Sequence, residues 1–375
     1  MSNTATTRAW VEVSASALQA NYHAVRRAAG SHAAIIPMVK ADGYGLGAGI
    51  VVRAIEPLGP WGWGVATVEE GVALRGYGVR RPIVVFGPLP PGSEALAAKA
   101  HLTATISDVA AAERWAAAAA GNGALEFHVE IDSGMGRSGF DWREIGERAH
   151  RLRELCGPSL RWTGVYTHFH SADVADATPS RTQWRRFRDA LSQLPVSPED
   201  LMIHACNSAG ALRWREYAAD AVRPGIFLYG GRAVDAEVTG VDRPQPVASV
   251  RARLVRIRDA SPGSTAGYGA TYAARGWERW GTLPIGYGDG LRRTLGNAGD
   301  ALIRGRRVPI VGRISMDMTV VDITSVPEAE AGDEATLLGR AGENEIALDD
   351  LAARAGTISY EILTGLTARL PRVEC

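Results

Sequence analysis

The sequence predicts an α/β chain: an N-terminal (β/α)8 barrel of the TIM type over residues 1–243, then a C-terminal mostly-β domain over residues 244–375. Three observations predict it. Extended and helical periods alternate through the first two thirds of the chain. A Pro-rich segment, Asp242-Arg243-Pro244-Gln245-Pro246, interrupts the pattern. Beyond it, short extended runs punctuated by Gly and Pro take over.

The elements follow in order. Val11-Glu12-Val13 is a short extended run. Ala17 to Ala29 places Leu18, Tyr22 and Val25 at helical spacing. Ile35-Ile36-Pro37-Met38-Val39 reads as a buried strand, and so does Gly62-Trp63-Gly64-Val65-Ala66, with a helix starting at Thr67 to Glu70. Pro82 to Phe86 is a further strand before a Gly/Pro loop, and Ser107 is placed to cap the Ala-rich helix near Asp108. Phe127 to Ile131 alternates as a strand, while Ile145, Ala149, Leu152 and Leu155 form one helical stripe. Gly164 to His170 and Met202 to Ala205 complete the extended runs of this half. Repeated βα units over this length favour a barrel over two Rossmann halves. In the second part, Ala248–Ile257, Gly281–Ile285, Ala301–Ile303, Val308–Val311 and Met318–Ile323 read as strands.

Composition narrows the function. Among the 375 residues, 41 basic side chains balance 41 acidic ones, which argues against a nucleic-acid or anionic-membrane partner recognised by bulk charge. No apolar run reaches the roughly 18–20 residues of a membrane span. The opening Met1-Ser2-Asn3-Thr4-Ala5-Thr6-Thr7-Arg8 has no apolar core of a secretory signal. Cys156, Cys206 and Cys375 show neither metal spacing nor a disulfide framework, so a reducing cytoplasm is expected, with no metal. Only Lys40 and Lys99 are lysines; every other basic residue is arginine. Ala-rich runs together with this arginine usage suggest a GC-rich genome, which explains the scarcity but not the two that remain.

Lys40 follows a strand directly and opens the Gly-rich run Ala41-Asp42-Gly43-Tyr44-Gly45-Leu46-Gly47. Barrel enzymes place catalysts at such strand ends. An amine there can react with a carbonyl if burial lowers its pKa. The run is neither a Walker loop nor Gly-x-Gly-x-x-Gly.

Val39-Lys40-Ala41-Asp42-Gly43-Tyr44-Gly45 resembles the pyridoxal-phosphate signature of the alanine racemases. Further signatures of that family follow in order: Asp132 to Arg137, Thr167-His168-Phe169, Asn207-Ser208, Val222 to Ile226, Gly267 to Tyr272, Gly286 to Gly290, Gly312 to Asp317 and Ile358 to Glu361. The resemblance spans about residues 8–373 and implies a barrel followed by a β domain. It implies that Lys40 carries pyridoxal 5′-phosphate and acts as one of two acid/base residues. Tyr268 is the other, supplied by the partner subunit. Proton removal on one face of Cα and delivery on the other interconverts L- and D-alanine.

The resemblance implies the remaining roles. Tyr44, Ser208, Gly225 and Ile226 hold the phosphate, with Asn207 beside them and Tyr360 on the far side. Arg223 faces the pyridine nitrogen; a guanidinium keeps that nitrogen unprotonated and the cofactor a weaker electron sink. His168, linked to Arg223, lowers the pKa of Tyr268. Arg137 and the backbone of Met316 meet the substrate carboxylate, and Asp317 and Tyr287 support them. A homodimer with shared sites and D-alanine for peptidoglycan are implied too.

Four positions depart from the family pattern. Glu130 stands where many members carry a carbamylated lysine, seven residues before Arg137. A carboxylate there is expected to replace the carbamate and orient Arg137. Leu46 stands for a common histidine, and Ser315 and Thr364 for common cysteines. Rival readings are a metal hydrolase using His168, His170 and His204, a noncatalytic pyridoxal-phosphate carrier, an amino-acid decarboxylase and a serine or broad-specificity racemase. The presence of Tyr268 and Met316 argues against the carrier, and Arg223 against the decarboxylase.

Overall fold

The computed structural model describes residues 6–375, so Met1–Ala5 of the N-terminal run lie outside the described residues. Eight parallel strands form the first unit: Ala34–Ile35, Trp63–Val65, Ile83–Val85, Thr103–Ile106, Leu125–Asp132, Leu160–Tyr166, Met202–His204 and Ala221–Val222. From Trp63–Val65 onward each pairs with the next along the chain, and the last pairs with the first. A parallel bridge from Met38 to Gly64, with Val39 N–H donating to the Gly64 carbonyl at 2.8 Å, joins the first strand to the second. That contact is the closing seam of the barrel.

The helices form where local chemistry starts and stops them. Ala15–Ala29 begins on the Ser14 hydroxyl and buries Leu18, Tyr22 and Val25. Val68–Gly76 begins on a capping box: Thr67 accepts from the Glu70 backbone, and the Glu70 carboxylate accepts from the Thr67 backbone. Val109–Ala119 is capped by Asp108 rather than by Ser107. The carboxylate lies one residue closer to the free N–H of Ala111, and the Ser107 hydroxyl turns instead to Glu130. Lys99 ends the helix Glu94–Lys99 and is exposed.

The second unit is mostly β. Its largest sheet takes in Ala248–Arg253, Asp300–Ile303, Arg306–Pro309 and Glu334–Ala341, and a smaller one takes in Arg256–Ala260, Glu278–Leu283 and Thr319–Asp322. Two helices, Leu348–Ala355 and Ser359–Thr364, return the chain to the barrel mouth. Ala9–Val13, an extended run at the head of the chain, pairs antiparallel with Ala248–Arg253 and parallel with Arg372–Glu374. It therefore belongs to this sheet and not to the barrel; alternation along a strand names a face, not a partner. Among the described residues, no helix is long and apolar enough to cross a membrane.

Candidate active site

The site is built at the C-terminal ends of the barrel strands. Lys40 lies just past the closing seam, and the chain there winds in the left-handed sense: Ala41, Asp42, Gly43 and Tyr44 have φ of 52°, 53°, 63° and 55°. Such backbone costs about 1–2 kcal/mol for each residue with a Cβ. Local hydrogen bonds offset it. Gly43 N–H donates to the Val39 carbonyl at 2.9 Å and Gly45 N–H to Ala41 at 2.7 Å. The Asp42 carboxylate accepts from Ala48 N–H at 2.8 Å, and Glu70 accepts from Ala41 N–H at 2.7 Å. Burial, with Arg137 and Arg223 nearby, pulls the Lys40 ammonium below its ordinary range, against the opposing pull of Glu70.

Ten of the residues expected from sequence line one cavity: Lys40, Tyr44, Arg137, His168, Asn207, Ser208, Arg223, Gly225, Ile226 and Tyr360. At one end Ser208 Oγ accepts from Gly225 N–H at 2.7 Å. Asn207 caps the short helix Ser208–Arg213 by accepting from Gly210 N–H at 3.0 Å. The Tyr44 ring stacks on Tyr229, with centroids 4.4 Å apart, and the Tyr229 hydroxyl donates to the Met38 carbonyl at 2.7 Å. A Cβ on Gly225 would lie 2.1 Å from the Tyr44 hydroxyl oxygen. Gly225→Ala is therefore expected to push Tyr44 aside and weaken pyridoxal phosphate binding about tenfold or more. A cofactor titration followed by absorbance checks it; unchanged affinity counts against the cradle.

At the other end sits Arg223, 3% exposed. Its Nη1 donates to His204 Nδ1 at 2.7 Å, and its Nη2 to the carbonyls of Thr167 at 2.8 Å and Ala205 at 3.1 Å. His168 Nδ1 lies 3.3 Å from the same Nη2. Burial draws the Arg223 pKa down to about 10, which leaves it charged at neutral pH. A guanidinium only donates, so His204 carries its proton on Nε2. That N–H reaches His128 Nδ1 at 2.9 Å. Burial, and then Arg223, hold His128, His168 and His204 well below the usual imidazole range. All three stay neutral, and the charge at this end belongs to Arg223.

Sequence reasoning missed how far this network reaches. Glu130, Tyr166 and His204 are register neighbours on adjacent strands. Tyr166 stacks on His204 at 4.9 Å and lies under the Arg223 guanidinium at 5.0 Å. His128 and Glu130 alternate with Phe127, Val129 and Ile131, so the period-2 pattern already puts both on one face of their strand. His168 and His170 do not form a metal-binding pair. The strand ends at Tyr166, and His170 is exposed beside the Ser171 hydroxyl.

Glu130 is buried, yet it does not pair with Arg137. It accepts from the Ser138 hydroxyl at 2.5 Å and from Ser107 at 3.4 Å, and no ion pair to Arg137 occurs among the described residues. The tight turn at Gly139 packs its backbone against the Glu130 side chain, so the serine next to Arg137 meets the carboxylate first.

Four expected residues lie away from the cavity, on loops of the second unit. Tyr268 is 69% exposed, and Met316 and Tyr287 are also exposed. The loops brace one another. Tyr287 N–H donates to Ser315 O at 3.0 Å, and Gly288 N–H to Met316 O at 2.9 Å. Asp317 accepts from Arg369 at 2.7 Å. Arg369 also reaches the buried Asp289, which is paired with Arg8 at 2.5 Å. Tyr268 follows Gly267, whose φ is 70° and where a Cβ would strike the Arg313 backbone at 2.8 Å. This cluster of exposed aromatic and thioether side chains on a rigid base has no counterpart in its own chain's cavity.

Comparison with known proteins identifies the family to which this two-unit fold belongs. The alanine racemase N-terminal domain profile matches residues 13–233, and the C-terminal domain profile matches residues 247–374. The alanine racemase of Halothermothrix orenii is 36% identical over 97% of this chain and 96% of its own. Alanine racemase 2 of Bacillus subtilis is 36% identical over 97% of this chain and 93% of its own. The crystal structure of alanine racemase from Bacillus anthracis with bound L-Ala-P superposes with a TM-score of 0.90 at 32% identity, covering 98% of this chain and 95% of that one. That from Streptomyces coelicolor A3(2) does so with a TM-score of 0.90 at 33% identity, over 99% and 98%. With both domain profiles matched in sequence and the full length matched in fold, the chain belongs to the alanine racemase family.

Proposed function

We propose that this enzyme interconverts L- and D-alanine with pyridoxal 5′-phosphate, using Lys40 and the Tyr268 of a second subunit as its two acid/base groups. The observation that carries the reading is the single cavity. It puts an amine of lowered pKa, a buried guanidinium and a hydroxyl-lined glycine cradle within one space. Those donors fit the cofactor. Tyr44, Ser208, the Gly225 and Ile226 backbone and Tyr360 suit a phosphate, Arg223 suits a ring nitrogen, and Lys40 suits an aldehyde. When bound, pyridoxal phosphate supplies an electron sink that acidifies the substrate Cα–H.

The chain's own residues do the rest. Arg137 orients the substrate carboxylate. Lys40, deprotonated more readily than an exposed lysine, takes or returns the proton on one face. Tyr268 does so on the opposite face. His168 accepts from Arg223 at Nδ1 and keeps Nε2–H for the tyrosine oxygen, which favours the phenolate. Arg223 does not give up a proton, so a ring nitrogen facing it would stay unprotonated and the bound cofactor would be a weaker electron sink.

Because Tyr268 and Met316 are exposed in a single chain, we infer a two-fold homodimer in which each exposed cluster completes the other chain's cavity. Supply of D-alanine for peptidoglycan and a cytoplasmic location belong to the same reading. Glu130 supplies a carboxylate where many members of the family use a carbamate, acting on Arg137 through the Ser138 turn rather than by direct contact. The test is an L-alanine to D-alanine assay, with L-serine as control and bicarbonate present or absent. Mixing inactive Lys40→Ala and Tyr268→Phe chains is expected to restore about a quarter of wild-type activity through one intact site per mixed dimer. No recovery overturns the shared site, and a bicarbonate requirement overturns the role of Glu130.

A further inference from the structure

We propose that Glu70 is a positioning residue for the reaction: its carboxylate clamps the left-handed turn that aims the Lys40 amine into the cavity. The inference rests on the reading of Lys40 as the reactive amine.

One donor on this turn has no main-chain acceptor. In a left-handed turn that starts abruptly from a strand, the first N–H groups have no earlier carbonyl to meet, as at any helix start. Ala41 N–H, next to Lys40, is such a group. Its partner is Glu70 Oε1, at 2.7 Å, from a different βα loop. The second oxygen, Oε2, accepts from Ala66 N–H at 2.8 Å and Thr67 N–H at 3.3 Å. One half-buried carboxylate thus serves two adjacent loops. Its Oε2 caps the helix Val68–Gly76, and its Oε1 reaches across the closing seam of the barrel.

Helix capping needs only one of those oxygens. The other holds Ala41 at φ 52°, a conformation that an alanine leaves readily unless something retains it. Release of the turn would reorient Lys40 without unfolding the barrel. Rate is sensitive to such changes: a misplacement near 1 Å can cost on the order of a hundredfold. The carboxylate also acts on Lys40 by charge, opposing Arg137 and Arg223. The other titratable groups facing the amine are His168 and the Tyr44, Tyr166 and Tyr360 hydroxyls that line the cavity. Asp42 on the turn is committed to Ala48 N–H.

Three variants of the full-length protein separate the two jobs. Thr67→Ala removes the helix cap from the Thr67 side and leaves the clamp on Ala41. Glu70→Gln keeps one acceptor oxygen and removes the charge. Glu70→Ala removes both. Each is measured for kcat and KM with alanine and for melting temperature. Each is also titrated with pyridoxal 5′-phosphate across pH, with borohydride trapping and peptide mass spectrometry.

Thr67→Ala is expected to lower the melting temperature while keeping kcat and the trapping profile. Glu70→Gln and Glu70→Ala are expected to lower kcat about 10- to 100-fold with KM little changed. Their trapping at Lys40 should move to lower pH, because the removed negative charge had favoured the ammonium. If Glu70→Ala does not fold, Glu70→Gln carries the test. Label on Lys40 with kcat and pH profile unmoved in Glu70→Gln overturns the clamp alone. Label on a residue other than Lys40 overturns the reading of the site and the clamp with it.

Discussion

Replacing Lys40 by arginine is expected to abolish racemisation, with kcat lower by at least about a thousandfold, while the protein still folds. The two side chains have similar reach at a site that is only partly buried, so the fold is expected to accept the exchange. What is lost is the lone pair. A guanidinium stays protonated at every working pH and attacks no aldehyde. Lys40, by contrast, sits where burial and two guanidiniums favour the neutral amine. The effect should therefore appear in chemistry and not in melting. The measurements are the visible absorbance of the purified protein with pyridoxal phosphate, borohydride trapping and the racemase assay. Retained covalent attachment, for instance at Lys99, would remove Lys40 from its role.

Arg223→Leu is expected to show a large loss of both stability and activity. Arginine at this position satisfies His204 Nδ1 and the Thr167 and Ala205 carbonyls inside the barrel. Leucine fills part of the volume and leaves those acceptors facing an apolar group. Each buried acceptor left without its donor costs about 1–3 kcal/mol. The melting temperature should fall by several degrees, and His204 should lose the contact that fixes its tautomer. Arg223→Lys keeps the charge but not the fork of donors, so it is expected to fall between the two. A thermal melt together with kcat for both variants decides it. A leucine variant that melts with wild type would show that the guanidinium does not hold the barrel interior together.

Much of this was readable in the sequence wherever one segment determines its own shape. The strands at Trp63–Val65, Ile83–Val85, Leu125–Asp132 and Met202–His204, the Thr67–Glu70 cap and the stripe Ile145–Ala149–Leu152 are local patterns, and the structure has them where the pattern lies, whereas Thr103–Ile106 and Ala221–Val222 are too short to stand out and the run read as Gly164–His170 is a strand at Leu160–Tyr166. Motif order also located the residues of the cavity. What escaped notice depends on partners distant in sequence. Alternation in Val11-Glu12-Val13 could not reveal that its neighbours are Ala248–Arg253 and Arg372–Glu374. Seven-residue spacing suggested that Glu130 meets Arg137, but the turn at Gly139 hands the carboxylate to Ser138. Asp108 and Ser107 differ by a single position, and either could have capped the helix until Glu130 claimed the serine.

The placement of Ala9–Val13 changes how the domains are counted. In the order of the chain, the whole barrel is an insert between the first strand of the other domain and the rest of it. During synthesis the barrel can close while Ala9–Val13 waits for a partner not yet made. The sheet is finished only when Arg372–Glu374 leaves the ribosome. A cut in the Pro-rich linker would therefore not yield two independent pieces, since each would carry away part of the other's framework. The parallel pairing sets Cys375 beside the start of the first barrel helix, with Ala15 N–H donating to its carbonyl at 3.1 Å, so the last residue made also braces the entry into the barrel.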